Sequence, residues 1–492
     1  MPLSFYFSNS ALFCIFALHM NRLKELIVRN KKSLIAATAF LAAYLFFQFA
    51  YPYHLIRREQ MTLFLYDWDY IFQTYRETGW LAAFISDFME QFFFLPAVGP
   101  LVVALLITAI AAVAYRICRK ALSPRLSLAI SAMVFVWSFL RETDNLYITR
   151  YTVVMLGYLI LVLAVLSVKK VLSRIIVACA ALVLGIWTLG TPFHKYYGRA
   201  WGIPQIGYDR VIGLDSEVAR ERWDEVLKLS QKDLYMVEAS YCYNLAHAMK
   251  GDMGQALFEH SQGNETSLLL RVSTERSIFS NTLAGEAWFH LGCMTIAEQS
   301  AIIALQASPK HTGARYILRL AQVNLISGQD ASAIKYLSLL SKTAFYRKWA
   351  LSMMPGNQSQ AVASGLAQVR SKLAQTDFVH HSNEIPAILH GLLEANPTNI
   401  LARNYLLCYD LMSYDLDGFM EDYNPWPVNA HVYQEAVLIW LSQNNLLSEQ
   451  NAARYGIENA TLKRMESFMR VPERHKNTYW YYYTNALDDN GQ

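Results

Sequence analysis

The sequence predicts an all-α protein, in which a bundle of transmembrane helices is followed by a soluble array of helical hairpins. Long uncharged apolar runs are confined to residues 1–192, and most of them are close to the length that a helix needs to cross a bilayer. From residue 216 onward, apolar residues recur at helical spacing between turn signals, and no convincing alternating strand appears. Together these observations predict a membrane domain and a soluble helical domain.

Composition and charge support the same division. The chain has 492 residues, of which 54% are hydrophobic and 17% charged, and this balance is too apolar for a purely soluble protein. Residues 1–192 contain 17 Lys and Arg against 9 Asp and Glu, whereas residues 193–492 contain 26 against 30. The total of +4 therefore combines a basic membrane half with a mildly acidic soluble half. No basic run interleaved with aromatic residues occurs in the acidic half, so nucleic acid is excluded as a partner.

Five apolar runs are predicted to span the membrane, and the third is short. None contains Asp, Glu, Lys, Arg or His, and ion-coupled transporters generally need such groups inside the membrane. Anchoring helices are therefore favoured over a transport pathway. The runs are residues 34–51, 95–115, 126–140, 151–168 and 175–189.

The distribution of Lys and Arg predicts the orientation. Basic residues cluster in residues 22–32, 116–125 and 169–174, and positively charged short loops remain on the cytoplasmic side. An odd number of spans then places the last 300 residues outside the cytoplasm. The predicted location is the bacterial cytoplasmic (inner) membrane, with the N-terminus in the cytoplasm and the C-terminal domain in the periplasm.

These features predict four regions. They are a cytoplasmic leader at 1–33, a membrane domain at 34–192, a linker at 193–215 and an extracytoplasmic helical domain at 216–492. Residues 1–19 resemble the apolar core of a signal peptide but lack a basic n-region and a small-residue cleavage site. Met20 begins an ordinary basic leader, MNRLKELIVRNKK, and is the predicted start of translation. An extra partial membrane segment at residues 1–19 is the alternative.

The first outer loop contains an acidic pair, Asp67 and Asp69, which flanks Trp68. An apolar stripe at helical spacing predicts an amphipathic helix that ends near Gly79, and a second stripe predicts another helix, so that two amphipathic helices occupy residues 63–93. Positions i and i+2 of a helix point about 200° apart, so a helix separates the two carboxylates. The favoured interpretation is therefore a solvated face, and a catalytic pair is the alternative. The stripes are Trp68, Ile71, Phe72 and Tyr75, then Leu81, Phe84, Ile85 and Phe88.

The soluble half contains degenerate repeats. NLAHAMKGDMGQALFEHSQG (244–263) and RLAQVNLISGQDASAIKYLSLL (319–340) share small residues at related positions, with Gly251 and Gly328 at the predicted turns. Pro397 and Pro309 are each followed by Ala at +5 and Leu at +9. Close helix contacts through small residues and glycine turns are typical of tetratricopeptide repeats. The prediction is an α-solenoid of tetratricopeptide-like hairpins.

These stretches, with EAWFHLGCMTIAEQSAIIALQASP, NTYWYYY and QFFFLPAVG, resemble an uncharacterised family of multi-pass membrane proteins from Bacteroidota. The resemblance covers most of the chain from about Met20. It implies a multi-pass protein of the bacterial inner membrane with a C-terminal tetratricopeptide-like region. The family has no established activity, so the resemblance implies no site residues.

Other chemical motifs receive structural interpretations. Cys242, Cys293 and Cys408 lie in apolar helical settings and are predicted to be buried free thiols. His380, His381 and Glu384 form an HHxxE cluster, which lacks the spacing of a zinc-binding HExxH helix, so no metal is predicted. No Walker loop, G-x-S-x-G or G-x-G-x-x-G fingerprint occurs, and no cofactor is predicted. The run TYWYYY at 478–483 is predicted to be a packed terminal helix rather than a sugar-stacking platform.

Two function classes remain open. In the first, the helical array is a binding or scaffold module that holds a protein or peptide partner and is anchored in the lipid bilayer by the membrane helices. In the second, the chain is an enzyme of the polyprenyl-donor membrane glycosyltransferase kind, with Asp67 and Asp69 as its catalytic residues in the first outer loop. Such enzymes carry acidic residues in that loop but generally have more spans. The first class is preferred because it depends on the repeats, which are the strongest signal in the chain. The second depends on an acidic pair that the local helical spacing already explains.

Overall fold

The structure is a computed structural model that describes residues 31–144, 148–191, 203–371, 373–374, 377–379, 384–423 and 430–490. Most of these residues are helical, and none of them forms a β-strand. They divide into two compact units. The first unit contains the described residues up to Leu55 and from Phe72 to Gln205, and the second contains Ile56–Ile71 and the described residues from Ile206 onward.

The N-terminal part of the chain, up to residue 191, forms eight α-helices among the described residues. A π-helical turn, Phe46–Ala50, extends the first of them, and a 3₁₀ turn, Gln91–Phe94, follows the fourth. Local signals set some boundaries: Ser123 caps one helix by accepting a hydrogen bond from the Leu126 N–H, and Pro124 occupies its first position. The helices are α1 (Lys31–Leu45), α2 (Tyr53–Gln60), α3 (Trp68–Thr74), α4 (Trp80–Glu90), α5 (Val98–Cys118), α6 (Pro124–Glu142), α7 (Thr149–Ser167) and α8 (Val171–Leu189).

Four of these segments are long and apolar enough to cross a membrane, namely Ser33–Ala50, α5, α7 and α8. Their side chains are largely unburied within the protein, and only 6% of the α8 window is buried. Large apolar side chains on such a surface are accounted for when lipid covers it. The predicted run 126–140 lies inside α6, which has the required length. Serines and terminal charges make α6 less apolar than the other four.

The second unit continues with a series of α-helices, several of which are joined by short turns. Gly251 and Gly328, the predicted turn glycines, have φ values of 83° and 73°, which favour residues without a side chain. The helices are α9 (Ile206–Ala219), α10 (Trp223–Ser230), α11 (Val237–Lys250), α12 (Met253–Ala256), α13 (Ile278–Leu291), α14 (Met294–Ala307), α15 (Ala314–Ile326), α16 (Asp330–Leu340), α17 (Arg347–Met353), α18 (Gln360–Arg370), α19 (Ile385–Ala395), α20 (Ile400–Met412), α21 (Leu416–Asp422), α22 (His431–Gln443), α23 (Glu449–Arg454), α24 (Asn459–Arg470) and α25 (Tyr479–Asn490). Three 3₁₀ turns, Glu265–Ser267, Pro309–His311 and Pro472–Arg474, lie between them.

The largest hydrophobic core of the second unit joins parts of the chain that are far apart in sequence. It combines buried side chains from residues 211–296 with others from residues 385–480. Helix α11 packs against α20, and the Phe258 ring centroid lies 5.4 Å from that of Tyr479. In a one-dimensional solenoid each repeat contacts only its neighbours. The described helices therefore depart from the simple solenoid that the repeats predict.

A second core contains a piece of the chain between α2 and α3. Leu63 and Leu65 are buried with residues of α15 and α16, including Leu325 and Leu337. The Ala314 N–H donates to the Thr62 carbonyl at 3.2 Å, and the Tyr66 N–H donates to the Lys342 carbonyl at 2.7 Å. From the sequence, this segment is expected to belong to the membrane domain at 34–192. The structure instead groups Ile56–Ile71 with the second unit, which is called the helical unit below.

The two predicted amphipathic helices of this loop exist, but with different boundaries and burial. Helix α3 ends at Thr74 rather than near Gly79, and residues 62–67 before it are not helical. Trp68 and Phe72 were predicted to share one apolar face, and they are 74% and 71% exposed. Tyr75, the last residue of the predicted stripe, is buried, so the protein covers only part of the predicted apolar face.

Candidate functional site

Asp67 and Asp69 occupy different positions at the start of α3. The Asp67 carboxylate accepts a hydrogen bond from the Tyr70 N–H at 3.1 Å and lies 2.5 Å from the Lys342 ammonium nitrogen. Asp69 is inside the helix and its side chain is exposed. The two carboxylates thus have different environments: Asp67 caps the helix and forms an ion pair, whereas Asp69 contacts solvent.

The pKa of Asp67 is held below its ordinary value. The hydrogen bond from Lys342 is the largest cause, and the backbone N–H groups at the start of α3 add to it. Both interactions stabilise the ionised carboxylate. Asp67 is therefore charged at neutral pH, with its oxygens already occupied by Lys342 and the helix N-terminus.

Glu59 is the loop acid that the sequence analysis missed. Its side chain is buried, and the Tyr346 hydroxyl donates to its two carboxylate oxygens at 2.9 and 3.2 Å. Burial raises the pKa of Glu59 to about 8, against the smaller lowering effects of Tyr346 and Arg220. Glu59 is thus predominantly protonated at neutral pH. Its position near the end of a short, polar helix gives no sign of this burial.

A buried ionic cluster lies in the helical unit near α15. The carboxylate of Glu286 on α13 contacts two guanidinium groups, with Arg315 and Arg319 each 2.6 Å from one of its oxygens. Arg315 also reaches Asp215 on α9 at 3.1 Å. The Arg319 guanidinium carbon lies 3.7 Å from the Phe289 ring centroid. All four charged side chains are at least nine-tenths buried.

The two arginines determine the ionisation of this cluster. Burial opposes the charge on Glu286, but Arg315 and Arg319 outweigh it and lower the pKa of Glu286 to about 2. Each charge has an opposite charge in hydrogen-bond contact, which is what a buried ion requires. A sequence signal existed, because α15 (ARYILRLAQVNLI) places both arginines four residues apart among apolar residues. We assign the cluster to the interior and not to an open site.

An open cleft of about 450 Å³ provides a ligand-sized space in this unit. It lies where the C-terminal ends of α13, α15 and α18 meet the first turn of α14. Its apolar lining includes Met294, Leu373, Phe378, Val379 and Leu392. Its polar lining includes Thr295, Glu298, Asn324, Gln329, Arg370 and Asp377. The cleft therefore offers both apolar and polar contacts to a ligand.

The charged groups of the cleft differ in how many hydrogen bonds they form within the protein. The Arg370 guanidinium donates to the Leu325 carbonyl at 2.6 and 3.0 Å and to Asp330 at 3.2 Å. It thereby satisfies a carbonyl near the end of α15. Glu298 accepts a hydrogen bond from Asn324 with one oxygen at 2.9 Å. Two carboxylates against one already paired cation give the cleft an acidic character.

Cysteine chemistry is not supported in this cleft. Cys293 lines it, but burial raises the pKa of the thiol to about 11. A thiol with this pKa stays protonated at neutral pH and is a poor nucleophile. Cys242 and Cys408 are likewise buried free thiols, as predicted for all three.

Two further predicted features are the HHxxE cluster and the aromatic run at 478–483. His380 and His381 lie outside the described residues, whereas Glu384 directly precedes α19. Within the described ranges, no three His, Cys, Asp or Glu side chains are grouped as metal ligands. Tyr479 and Trp480 are buried and pack in α25, which confirms the packed terminal helix.

These observations define an all-helical protein with helices long and apolar enough to span a membrane, joined to a second helical unit that contains an acidic cleft. A family described as "Family of unknown function (DUF6057)" matches residues 28–201 and 193–486, and the chain belongs to this family. No curated protein and no solved structure matches the chain. Membership agrees with the predicted resemblance to an uncharacterised family. The Bacteroidota origin and the tetratricopeptide class stay predictions.

Proposed function

We propose that this protein is a membrane-anchored binding module, and that its helical unit holds a segment of a partner protein in the cleft beside Glu298. The observation that carries the proposal is the cleft itself, which combines an apolar floor with two carboxylates. Arg370 is not available to bind an anionic ligand, because its guanidinium already donates to the Leu325 carbonyl and to Asp330. The partner segment that complements this lining is apolar and contains a basic side chain.

The proposal includes the predicted topology, with the helical unit outside the cytoplasm of a bacterial inner membrane. Support comes from the contacts of Ile56–Ile71, which share a core with α15 and α16 and must lie on the same side of the membrane as they do. The chain between Ile71 and Ile206 then crosses the membrane an even number of times. Helices α5, α6, α7 and α8 satisfy this condition, whereas omitting α6 leaves three crossings. We therefore count α6 as a membrane span, which brings the total to five.

The glycosyltransferase alternative is not favoured by any contact of its two residues in the described part of the chain. Asp67 is engaged by Lys342 and by the start of α3, and Asp69 is separated from it on the helix. A catalytic carboxylate that binds a metal or substrate needs accessible oxygens. We therefore keep the glycosyltransferase alternative only as one possible result of the experiment below.

Site-specific photocrosslinking tests the binding module. A benzoylphenylalanine at Thr295, an exposed position of the cleft, is introduced into the full chain and irradiated in native membranes. We expect a discrete adduct with a second protein, and its yield should fall several-fold when Glu298→Gln and Asp377→Asn are combined. Glu394→Gln is the matched control, because Glu394 is exposed on α19 but does not line the cleft.

Two results would contradict the proposal. An adduct that is equally sensitive to Glu394→Gln would show that general surface charge, and not the cleft, determines capture. Recovery of a lipid-linked sugar with the purified chain, without a protein adduct, would favour the enzyme alternative.

A further inference from the structure

The membrane part of the first unit contains a crevice between α1, α5 and α6. Its volume is about 330 Å³, which lies within the range of small-molecule sites. Five alanines contribute to its lining, and their small side chains leave the space between the helices unfilled. They are Ala36, Ala39, Ala111, Ala112 and Ala132.

The lining is otherwise mostly apolar. Ile35, Leu128, Phe135 and Val136 contribute large hydrocarbon side chains. The Ser131 hydroxyl donates to the Ala111 carbonyl at 2.7 Å, so this polar group is satisfied within the protein. Such a surface offers little to a water-soluble ligand and binds a hydrocarbon chain by close packing.

Arg116 is the single charged residue that the described chain contributes to this lining. It lies in the last turn of α5, and within the described ranges it forms no hydrogen bond or ion pair. Two neighbouring cations differ in this respect. Arg119 donates to the Leu122 carbonyl at 2.7 Å, and Lys120 donates to the Leu166 carbonyl at 3.1 Å. One end of the apolar crevice therefore has an uncompensated positive charge.

We propose that this crevice is a binding site for an anionic glycerophospholipid, with an acyl chain between α1, α5 and α6 and the phosphate at Arg116. Charge complementarity selects the occupant, because the apolar lining accepts a chain and the guanidinium accepts a phosphate in a bidentate arrangement. Basic residues that border gaps between membrane helices bind anionic head groups in the same way. A zwitterionic phospholipid provides the chain but adds a positive charge close to Arg116.

Native mass spectrometry of the purified full chain tests the proposal. The protein is offered equal amounts of phosphatidylglycerol and phosphatidylcholine with identical acyl chains, and the retained lipids are counted. We expect preferential retention of phosphatidylglycerol, and Arg116→Gln should weaken it about five-fold, as expected for one interfacial cation. Arg119→Gln is the matched control, since Arg119 does not line the crevice.

A second pair of variants tests the position of the chain. Ala112→Phe places a ring in the crevice and should reduce retention of both phospholipids, whereas Ala180→Phe, at an exposed position of α8 outside the crevice, should not. Circular dichroism of each variant establishes that the helices remain folded. Equal retention of the two phospholipids, equal effects of Arg116→Gln and Arg119→Gln, retention of polyprenyl phosphate alone, or a protein dimer that Ala112→Phe disrupts would each overturn the proposal.

Discussion

The Lys342 ammonium group lies 2.5 Å from the carboxylate of Asp67, although 275 positions separate the two residues in the chain. The adjacent backbone forms a second link, because the Tyr66 N–H donates to the Lys342 carbonyl. Asp67 of the acidic pair is thus linked to the chain just after α16, whereas Asp69 is exposed. The two aspartates should therefore respond differently to the same substitution.

Asp67→Asn should loosen the attachment of the loop segment, whereas Asp69→Asn should not. The amide loses the ion pair with Lys342 but preserves the volume of the side chain. Amide hydrogen exchange, followed by mass spectrometry, should become faster in residues 62–70 of the first variant only. If both variants instead abolish complementation of a deletion strain at normal protein level and normal exchange, the two carboxylates act together in catalysis.

A peptide with the sequence of Ile56–Ile71 should stabilise a fragment that contains residues 205–492. That fragment is predicted to be soluble and helical by itself, but without the peptide it exposes the side chains that cover Leu63 and Leu65. Burial of two leucines contributes about 3–6 kcal/mol at most. Thermal unfolding should shift upward with added peptide, and a peptide with Leu63→Asp and Leu65→Asp is the control. An identical unfolding temperature with either peptide would contradict the contacts described here.

Glu286→Gln should destabilise the helical unit by about 3–5 kcal/mol, because it leaves two buried guanidinium groups without their shared carboxylate. The measurement is urea unfolding of the full chain in detergent, followed by tryptophan fluorescence. Glu225→Gln is the control, since Glu225 forms an exposed pair with Lys228 and should change stability by less than about 0.5 kcal/mol. Similar losses in the two variants would show that the cluster does not stabilise this unit.

Glu59 should make stability depend on pH. Its pKa is about 8 in the folded protein against 4.5 for the ordinary group, so its contribution is complete below pH 4.5 and is lost as the pH rises toward 8. Glu59→Gln should flatten the profile over this range while its amide carbonyl still accepts from Tyr346. Unfolding temperatures between pH 5 and 8.5 measure the effect, with Asp69→Asn as the control. If the unfolding temperature of Glu59→Gln varied with pH in the same way as that of the unsubstituted protein, Glu59 would be ionised in the folded state.

Helix α6 should cross the membrane. A periplasm-active reporter inserted at Asp144 should be active, and one inserted at Leu122 should be inactive. Fusions after Asn490 and within residues 169–174 should likewise be active and inactive, respectively. Equal activity at Leu122 and Asp144 would place both ends of α6 on one side and change the number of spans by one.

Sequence periodicity predicted the features that depend on local spacing. Gly251 and Gly328 were expected at turns, and both have the positive φ that such turns require. Tyr479 and Trp480 were expected to pack, and a run of six residues rich in aromatic side chains is a strong local signal. Membrane segments were found because their length and apolarity are properties of a single contiguous run.

The features that depend on partners distant in sequence were not predicted. Leu63 and Leu65 look like part of an amphipathic helix, because nothing in the loop identifies α15 and α16 as their partners. Arg315 and Arg319 lie among apolar residues of α15, but nothing in their spacing identifies Glu286 and Asp215 as their partners. The cleft was also missed, since its lining comes from four separate helices and the segments between them.

The core that joins residues 211–296 to residues 385–480 sets the order of events during synthesis. Trp480 and Tyr479 must leave the ribosome before this core can close around Phe258. At an elongation rate of about 20 residues per second, the earlier helices wait on the order of ten seconds with apolar surface uncovered. A stop codon shortly before residue 479 therefore removes a structural element rather than a dispensable tail.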